Sequence, residues 1–291
     1  MRPLKIFAAA FLLLFGLTHL ARAEAAEPRF SVVVEGKGPD VILIPGLSSP
    51  RSVWDRTADR LKANHRVHLV QVGGFAGEKV GGNVEGLIVA PLADALAGYI
   101  AANKLKAPAV IGHSLGGEAA LMLAARRPGS VGRVMAVDSL PFYSLLFDPS
   151  ATPASVKPQA DAFRDMILAQ TPEQGRASQG AVLARLVKTE GARAALVEAG
   201  AASDKSVVAR SVHELMTTDL RPELGRVAVP LTVLYAWDSG TGFPAEAVDA
   251  LFKSAYAAAP AAHLERIDGS YHFIMIDQPD AFAAAVDRFL R

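Results

Sequence analysis

Residues 109–117 read Ala109-Val110-Ile111-Gly112-His113-Ser114-Leu115-Gly116-Gly117, and an Ala- and Leu-rich stretch, Glu118 to Arg126, follows without a break. The apolar run has strand character and the stretch after it helix character, so the serine sits where a strand turns into a helix. Such a turn is sharp and strained. Glycines two positions before and after the serine remove the Cβ atoms that would clash as the turn tightens. The hydroxyl is then held at the carboxyl edge of a sheet, where helix amides also point and stabilise negative charge developing on a substrate oxygen. Ser114 is therefore the candidate nucleophile.

Upstream, Phe30 to Glu35 and Val41 to Ile44 are short β-branched runs separated by the turn-forming Gly36-Lys37-Gly38-Pro39-Asp40, and read as two neighbouring strands. A helix over Val53 to Leu61, a strand over Val67 to Val72 and a loop at Gly73 to Gly77 follow. Next comes a longer helix around Pro91 to Lys104, with Leu92, Leu96 and Tyr99 or Ile100 at helical spacing. Downstream, Val134 to Val137, Pro230 to Trp237 and His263 to Ile267 read as strands, and Pro279 to Leu290 as the last helix. Strands apolar throughout and separated by helices predict an α/β fold: a mostly parallel central sheet covered by helices on both faces.

With these elements around it, the G-x-S-x-G stretch at Gly112 to Gly116 resembles the nucleophile turn of the α/β-hydrolase family, and the resemblance covers most of the chain beyond the first residues. A serine hydroxyl is a poor nucleophile at neutral pH and needs a base, which in turn needs an orienting acid. The family keeps its base in the loop before the final helix. Here that loop is Asp268-Gly269-Ser270-Tyr271-His272-Phe273, followed by Asp277-Gln278-Pro279, so the resemblance makes His272 the base. Of the other histidines, His65 and His68 flank an early strand, His113 is expected to point away from the serine hydroxyl, and His213 and His263 lie in or beside polar segments. The acid should fall between serine and histidine in chain order. Asp238, at the end of the strand Pro230 to Trp237, is the first choice, although Ala236-Trp237 departs from the family's usual wording before it. Asp138, at the end of the preceding strand, is the alternative acid, and Asp268 is too near His272 along the chain to be preferred.

The resemblance also implies an oxyanion hole built from the backbone N–H groups of Leu115 and of Leu47, the latter in the loop Gly46-Leu47-Ser48 with Pro45 where the family usually has histidine. Ser48 and Ser49 read as turn residues or as extra hydroxyl contacts. About 90 residues between Asp138 and Leu231 break the strand–helix alternation and carry Pro141, Pro149, Pro153, Pro158 and Pro172. They correspond to the helical lid that the family inserts after its sixth strand, here at about 141–225. Phe142, Tyr143, Leu145, Leu146, Phe147, Phe163, Met166 and Ile167 are candidates to line an apolar pocket beneath it.

The chain begins Met1-Arg2-Pro3-Leu4-Lys5, continues with an apolar run from Ile6 to Leu17, and reaches Ala21-Arg22-Ala23. That is the order of a secretory signal peptide, with an apolar run well short of the ~20 residues of a membrane-spanning helix. Residues 1–23 are thus expected to be removed, leaving 24–291 as one hydrolase domain in the periplasm or outside the cell. Losing Arg2, Lys5 and Arg22 takes the formal charge from +1 to −2. A near-neutral chain without blocks of like charge is not expected to bind nucleic acid. With 291 residues, 51% of them hydrophobic, the chain is long and apolar enough to build its own core, and with no cysteine it has no disulfide and no thiolate site. Neither metal-ligand spacing nor a phosphate-binding loop is present, so no cofactor is expected. Two functions remain: a serine hydrolase cleaving a small-molecule carboxylic ester through an acyl-enzyme, and a ligand-binding or signalling protein on the same scaffold with negligible turnover.

Overall fold

The structure is a computed structural model that describes residues 27–291; the expected signal peptide, 1–23, lies outside the described residues. Seven strands form one sheet in the order β1-β3-β2-β4-β5-β6-β7. They are β1 (Phe30–Gly36), β2 (Asp40–Ile44), β3 (Arg66–Val72), β4 (Ala109–His113), β5 (Arg133–Val137), β6 (Leu231–Trp237) and β7 (His263–Asp268). All pair in parallel except β1, which runs antiparallel to β3 at the sheet edge.

The expectation that β1 and β2 are neighbours is corrected, because β3 lies between them and pairs with both. The link from Gly36 to Asp40 takes four steps of up to ~3.6 Å, enough to cross the ~10 Å separating strands two places apart. Gly36 (φ 74°) permits the crossing: a Cβ there would come within 2.3 Å of the His65 carbonyl oxygen.

Because side chains alternate along a strand, each fully buried strand feeds two cores. On one face Ile42, Ile44, Val70 and Val72 pack with Leu92 and Leu96 of α2 (Val89–Ala102) and with α3 (Leu115–Arg126). On the other, Val41, Leu43 and Ile111 pack with Ala58 and Leu61 of α1 (Asp55–Leu61) and, at the far end of the chain, with Phe282 and Val286. The layers foreseen from the apolar strands are those of the molecule.

Between β5 and β6 the chain makes four α-helices: α4 (Pro153–Ala169), α5 (Pro172–Leu186), α6 (Glu190–Ala201) and α7 (Lys205–Thr217). Thr152 and Thr171 cap α4 and α5 with reciprocal side-chain and backbone hydrogen bonds, each followed by proline at the first helical position. Of the prolines that break the sequence pattern, Pro153 and Pro172 thus start helices, Pro158 lies within α4, and Pro141 and Pro149 lie in the connection before α4. After β6 come α8 (Ala245–Ala255), β7, the short α9 (Ile274–Asp277) and α10 (Pro279–Leu290). Among the described residues no helix is long and apolar enough to cross a membrane.

Candidate active site

The carboxyl ends of the parallel strands converge on one cavity of about 650 Å³, the position where open α/β sheets receive ligands. Ser114 follows β4 directly, with φ 53° and ψ −120°, a conformation outside those ordinary residues favour. The glycines around it are sterically required. A Cβ on Gly112 would lie 2.1 Å from the Gly116 carbonyl oxygen, and one on Gly116 would lie 2.4 Å from that of Ile44. The turn is clamped on both sides: the Ser114 N–H donates to the Val137 carbonyl at 2.9 Å, and the Ser139 hydroxyl donates to the Ser114 carbonyl at 2.8 Å.

His272 lies in the loop between β7 and α9 and, like Ser114, lines the cavity. Its Nδ1 is 2.6 Å from Asp138 Oδ2. Among the described residues the ring is hydrogen-bonded through Nδ1 alone, which leaves Nε2 uncommitted for the serine hydroxyl. Asp138 stands at the end of β5 with φ 45°, its own N–H bonded to the Leu234 carbonyl. Its second oxygen accepts the Ala236 N–H at 2.9 Å. Both carboxylate oxygens are therefore fixed, one on the backbone and one on the imidazole.

This corrects the first choice of acid. Asp238 does not reach His272: its Oδ2 pairs with Lys188 Nζ at 2.6 Å and its Oδ1 accepts the Gly240 N–H at 2.7 Å. The Lys188 ammonium, helped by the Gly240 amide, holds the Asp238 carboxyl below the ordinary aspartate range. Lys188 lies in the inserted segment, 50 positions from Asp238, so no pattern local to the β6 end reveals the pairing. Asp138 is the carboxylate the geometry supplies, and the Ala236-Trp237 departure was the available signal.

His113 is not among the residues that line the cavity, and it has a partner not foreseen. It is fully buried, and its Nε2–H donates to the backbone carbonyl of His272 at 3.0 Å, with the two rings 4.5 Å apart. Burial, reinforced by the neighbouring His272, pushes the His113 imidazole well below its ordinary pKa, so it is the neutral tautomer that holds the His272 loop. The remaining histidines have partners elsewhere: His65 with Asn64, His68 with Asp40 and Tyr99, His213 with Asp161, and His263 with Glu265.

For the expected oxyanion hole, Leu115 opens α3 and lines the cavity. Leu47 packs against the core, and its own atoms do not line the cavity. The loop it belongs to is nevertheless pressed against the nucleophile, because a Cβ on Gly46 would lie 3.1 Å from Ser114 Cβ and 3.0 Å from His113 Nδ1. Ser48 and Ser49 are buried turn residues, Ser48 at φ 55°, and neither lines the cavity. Gly46→Ala must shift this loop by a few tenths of an ångström. It is expected to lower kcat on the order of 10-fold to 100-fold with a smaller effect on melting temperature, as steady-state kinetics beside thermal unfolding would show.

The insertion supplies part of the wall through Tyr143, Leu146, Leu186 and Leu215. Of the eight pocket candidates, Tyr143 and Leu146 line the cavity. Phe142 and Leu145 turn into the core, Phe147 is exposed, and Phe163, Met166 and Ile167 on α4 do not reach the cavity. Unforeseen lining residues come from α8, among them Val248, Leu251 and Phe252, and from α3, where Glu118 stands one turn beyond Ser114. A single acid in an otherwise apolar helix was the sequence signal for the last.

The insertion and the loop of His272 are joined by Asp277. Its carboxylate accepts the N–H groups of Lys188 at 3.0 Å, Thr189 at 2.8 Å and Tyr271 at 3.0 Å.

The model of the family described as "Alpha/beta hydrolase family" matches residues 41–285. A pimeloyl-acyl carrier protein methyl ester esterase from Vibrio atlanticus (strain LGP32) is 27% identical over 207 residues, which cover 69% of this chain and 77% of that protein. The enol-lactonase from Burkholderia xenovorans LB400 is similar in structure with a TM-score of 0.71 at 21% identity, over 90% of this chain and 96% of that one. A thermophilic esterase from Thermogutta terrifontis gives a TM-score of 0.74 at 18% identity, over 90% and 93%. At such identities the two solved structures attest the fold.

Proposed function

The chain belongs to the alpha/beta hydrolase family, and from that membership we propose a serine hydrolase that cleaves a carboxylic ester through an acyl-enzyme intermediate. The observation that carries this reading is the 2.6 Å contact of His272 Nδ1 with Asp138 Oδ2 in a cavity shared with Ser114. Relatives named as esterases favour an ester over other acyl substrates.

Asp138 holds the imidazole with its proton on Nδ1, so that Nε2 accepts the Ser114 proton as Oγ attacks the ester carbonyl. The oxyanion forms against the Leu115 N–H, with the Leu47 N–H as second donor. Collapse of the tetrahedral species expels the alcohol, which takes the proton from His272. A water molecule then attacks the acyl-serine, giving its proton to Nε2, and the acid product leaves as the proton returns to Ser114. The inserted helices act as the lid, and Leu140, Leu215, Leu251 and Phe252 favour an apolar acyl or alcohol portion.

Hydrolysis of chromogenic esters across a range of acyl lengths, together with labelling by a fluorophosphonate, tests the reading. Protein that neither turns over esters nor becomes labelled would instead be a binding protein on this scaffold. Export belongs to the same proposal, supported by the charged, apolar and small-residue order of residues 1–23. Protein recovered from its source is expected to begin at Glu24, and intact mass would report retention of Met1.

A further inference from the structure

Glu118 is chemically out of place. Every residue of α3 from Leu115 to Ala125 is buried, and all but Glu118 are Leu, Met, Ala or Gly. A carboxyl group at 1% exposure is costly unless it is paired, yet among the described residues its Oε1 has no hydrogen-bond partner. The groups around it are already committed. Glu214, a carboxylate whose charge acts on Glu118, accepts the N–H groups of Ile88, Val89 and Ala90 at 2.6 to 2.8 Å, and so offers no proton. Arg126 is held by both oxygens of Glu223, at 2.8 and 2.7 Å. The Tyr256 hydroxyl donates to the Ser139 carbonyl at 2.6 Å.

What Glu118 does face is the catalytic cavity, whose wall it forms together with Leu140, Tyr143, Leu215, Leu251 and Phe252. We propose that Glu118 is a specificity-determining residue, whose carboxyl group receives an uncharged hydrogen-bonding substituent, a hydroxyl or a carbonyl, on the portion of the substrate carried into this cavity. The inference rests on the ester-hydrolase reading and narrows it to esters with a second oxygen function along an otherwise apolar chain.

Burial, with Glu214 adding to it, holds the Glu118 carboxyl well above its ordinary pKa and so favours the neutral form, which offers one O–H donor beside an acceptor. A neutral carboxyl suits a carbonyl through its donor and a hydroxyl through either atom. A substrate carboxylate would bring a further charge into a region that already holds Glu214 and Asp138. An apolar chain satisfies none of the buried polar capacity, and the unmet hydrogen bond counts against it.

The test compares matched ester pairs in which one methylene or methyl of an apolar chain becomes a carbonyl or hydroxymethyl group, stepped along the acyl and then the alcohol side. In wild-type protein the polar member is expected to be favoured at one chain position. At that position Glu118→Leu is expected to lower the polar-to-apolar ratio of kcat/KM by roughly 10-fold to 100-fold. Glu118→Gln, which keeps a neutral donor and acceptor, is expected to retain the preference. Glu118→Met provides the same comparison if the leucine variant does not fold, and fluorophosphonate labelling reports that each protein has an intact nucleophile. Equal ratios in the wild-type, Gln and apolar variants would overturn the proposal, as would the absence of any preferred chain position; both are what a carboxyl satisfied by an internal water would give. Failure of wild-type protein on every ester would be a different result, overturning the hydrolase reading and this inference with it.

Discussion

Ser114→Ala is expected to reduce ester turnover by a factor on the order of 10⁴ to 10⁶, leaving only what binding and the oxyanion donors achieve without a nucleophile. Fluorophosphonate labelling should disappear with it. The fold should be unaffected, because the serine lines a cavity rather than filling a core and its backbone is held by Val137 and Ser139. Alanine retains the Cβ and therefore the strain of φ 53°. Ser114→Gly is equally inactive but free of that strain, which amounts to about 1 kcal/mol or more. Glycine at this position is expected to raise the melting temperature relative to alanine by a few degrees, of the order of 2 to 4 °C per kcal/mol for a chain this size. A melting temperature no higher for glycine than for alanine would mean that the turn stores no such energy.

The second large effect separates the two aspartates. Asp138→Asn keeps the shape of the acid but presents an amide to an imidazole Nδ1 that needs an acceptor, which favours the wrong tautomer. A loss of about 10⁴ in kcat is expected, with KM changed little. Asp238→Asn should leave kcat within a few-fold. It weakens an ion pair whose lysine is 48% exposed, an interaction that contributes at most about 1 kcal/mol. Kinetics and melting curves for both variants decide the matter: a folded, inactive Asp238→Asn protein beside an active Asp138→Asn protein would return the acid to the end of β6.

The two aspartates also mark where the sequence stops being readable. Both end neighbouring parallel strands at the same edge of the sheet, so local pattern places each of them equally well. The choice between them depends on which strand end the His272 loop approaches and on where Lys188 comes to rest, and both are long-range packing outcomes. The placement of Ser114 and His272 beside one cavity was legible because their signals are local: a glycine-flanked strand-to-helix turn, and a loop between the last strand and the last helix. The strands and the layers were legible for the same reason, since their apolar runs are continuous and their helices periodic. The order of β1, β3 and β2 was not, because a short turn is compatible with a hairpin and with a skip alike. Within the insertion, composition identifies helices but not the faces they present. Thus Phe142 and Leu145 enter the core while Leu186 and Leu215, from α5 and α7, line the cavity.

Asp277 gives amide hydrogen exchange a particular form in this molecule. Its carboxylate protects the N–H groups of Lys188, Thr189 and Tyr271, residues more than 80 positions apart at the extremes, through one shared acceptor. Lifting the α5–α6 junction from the core withdraws the Lys188 and Thr189 N–H groups together, while the Tyr271 N–H and its acceptor stay on the same side of the opening. Tyr271 adjoins His272, so only a change in the carboxylate itself frees all three amides and loosens the peptide beside the imidazole. Entry past the inserted helices and the placement of His272 thus meet in one carboxylate, and a substitution at Asp277 is expected to disturb both at once.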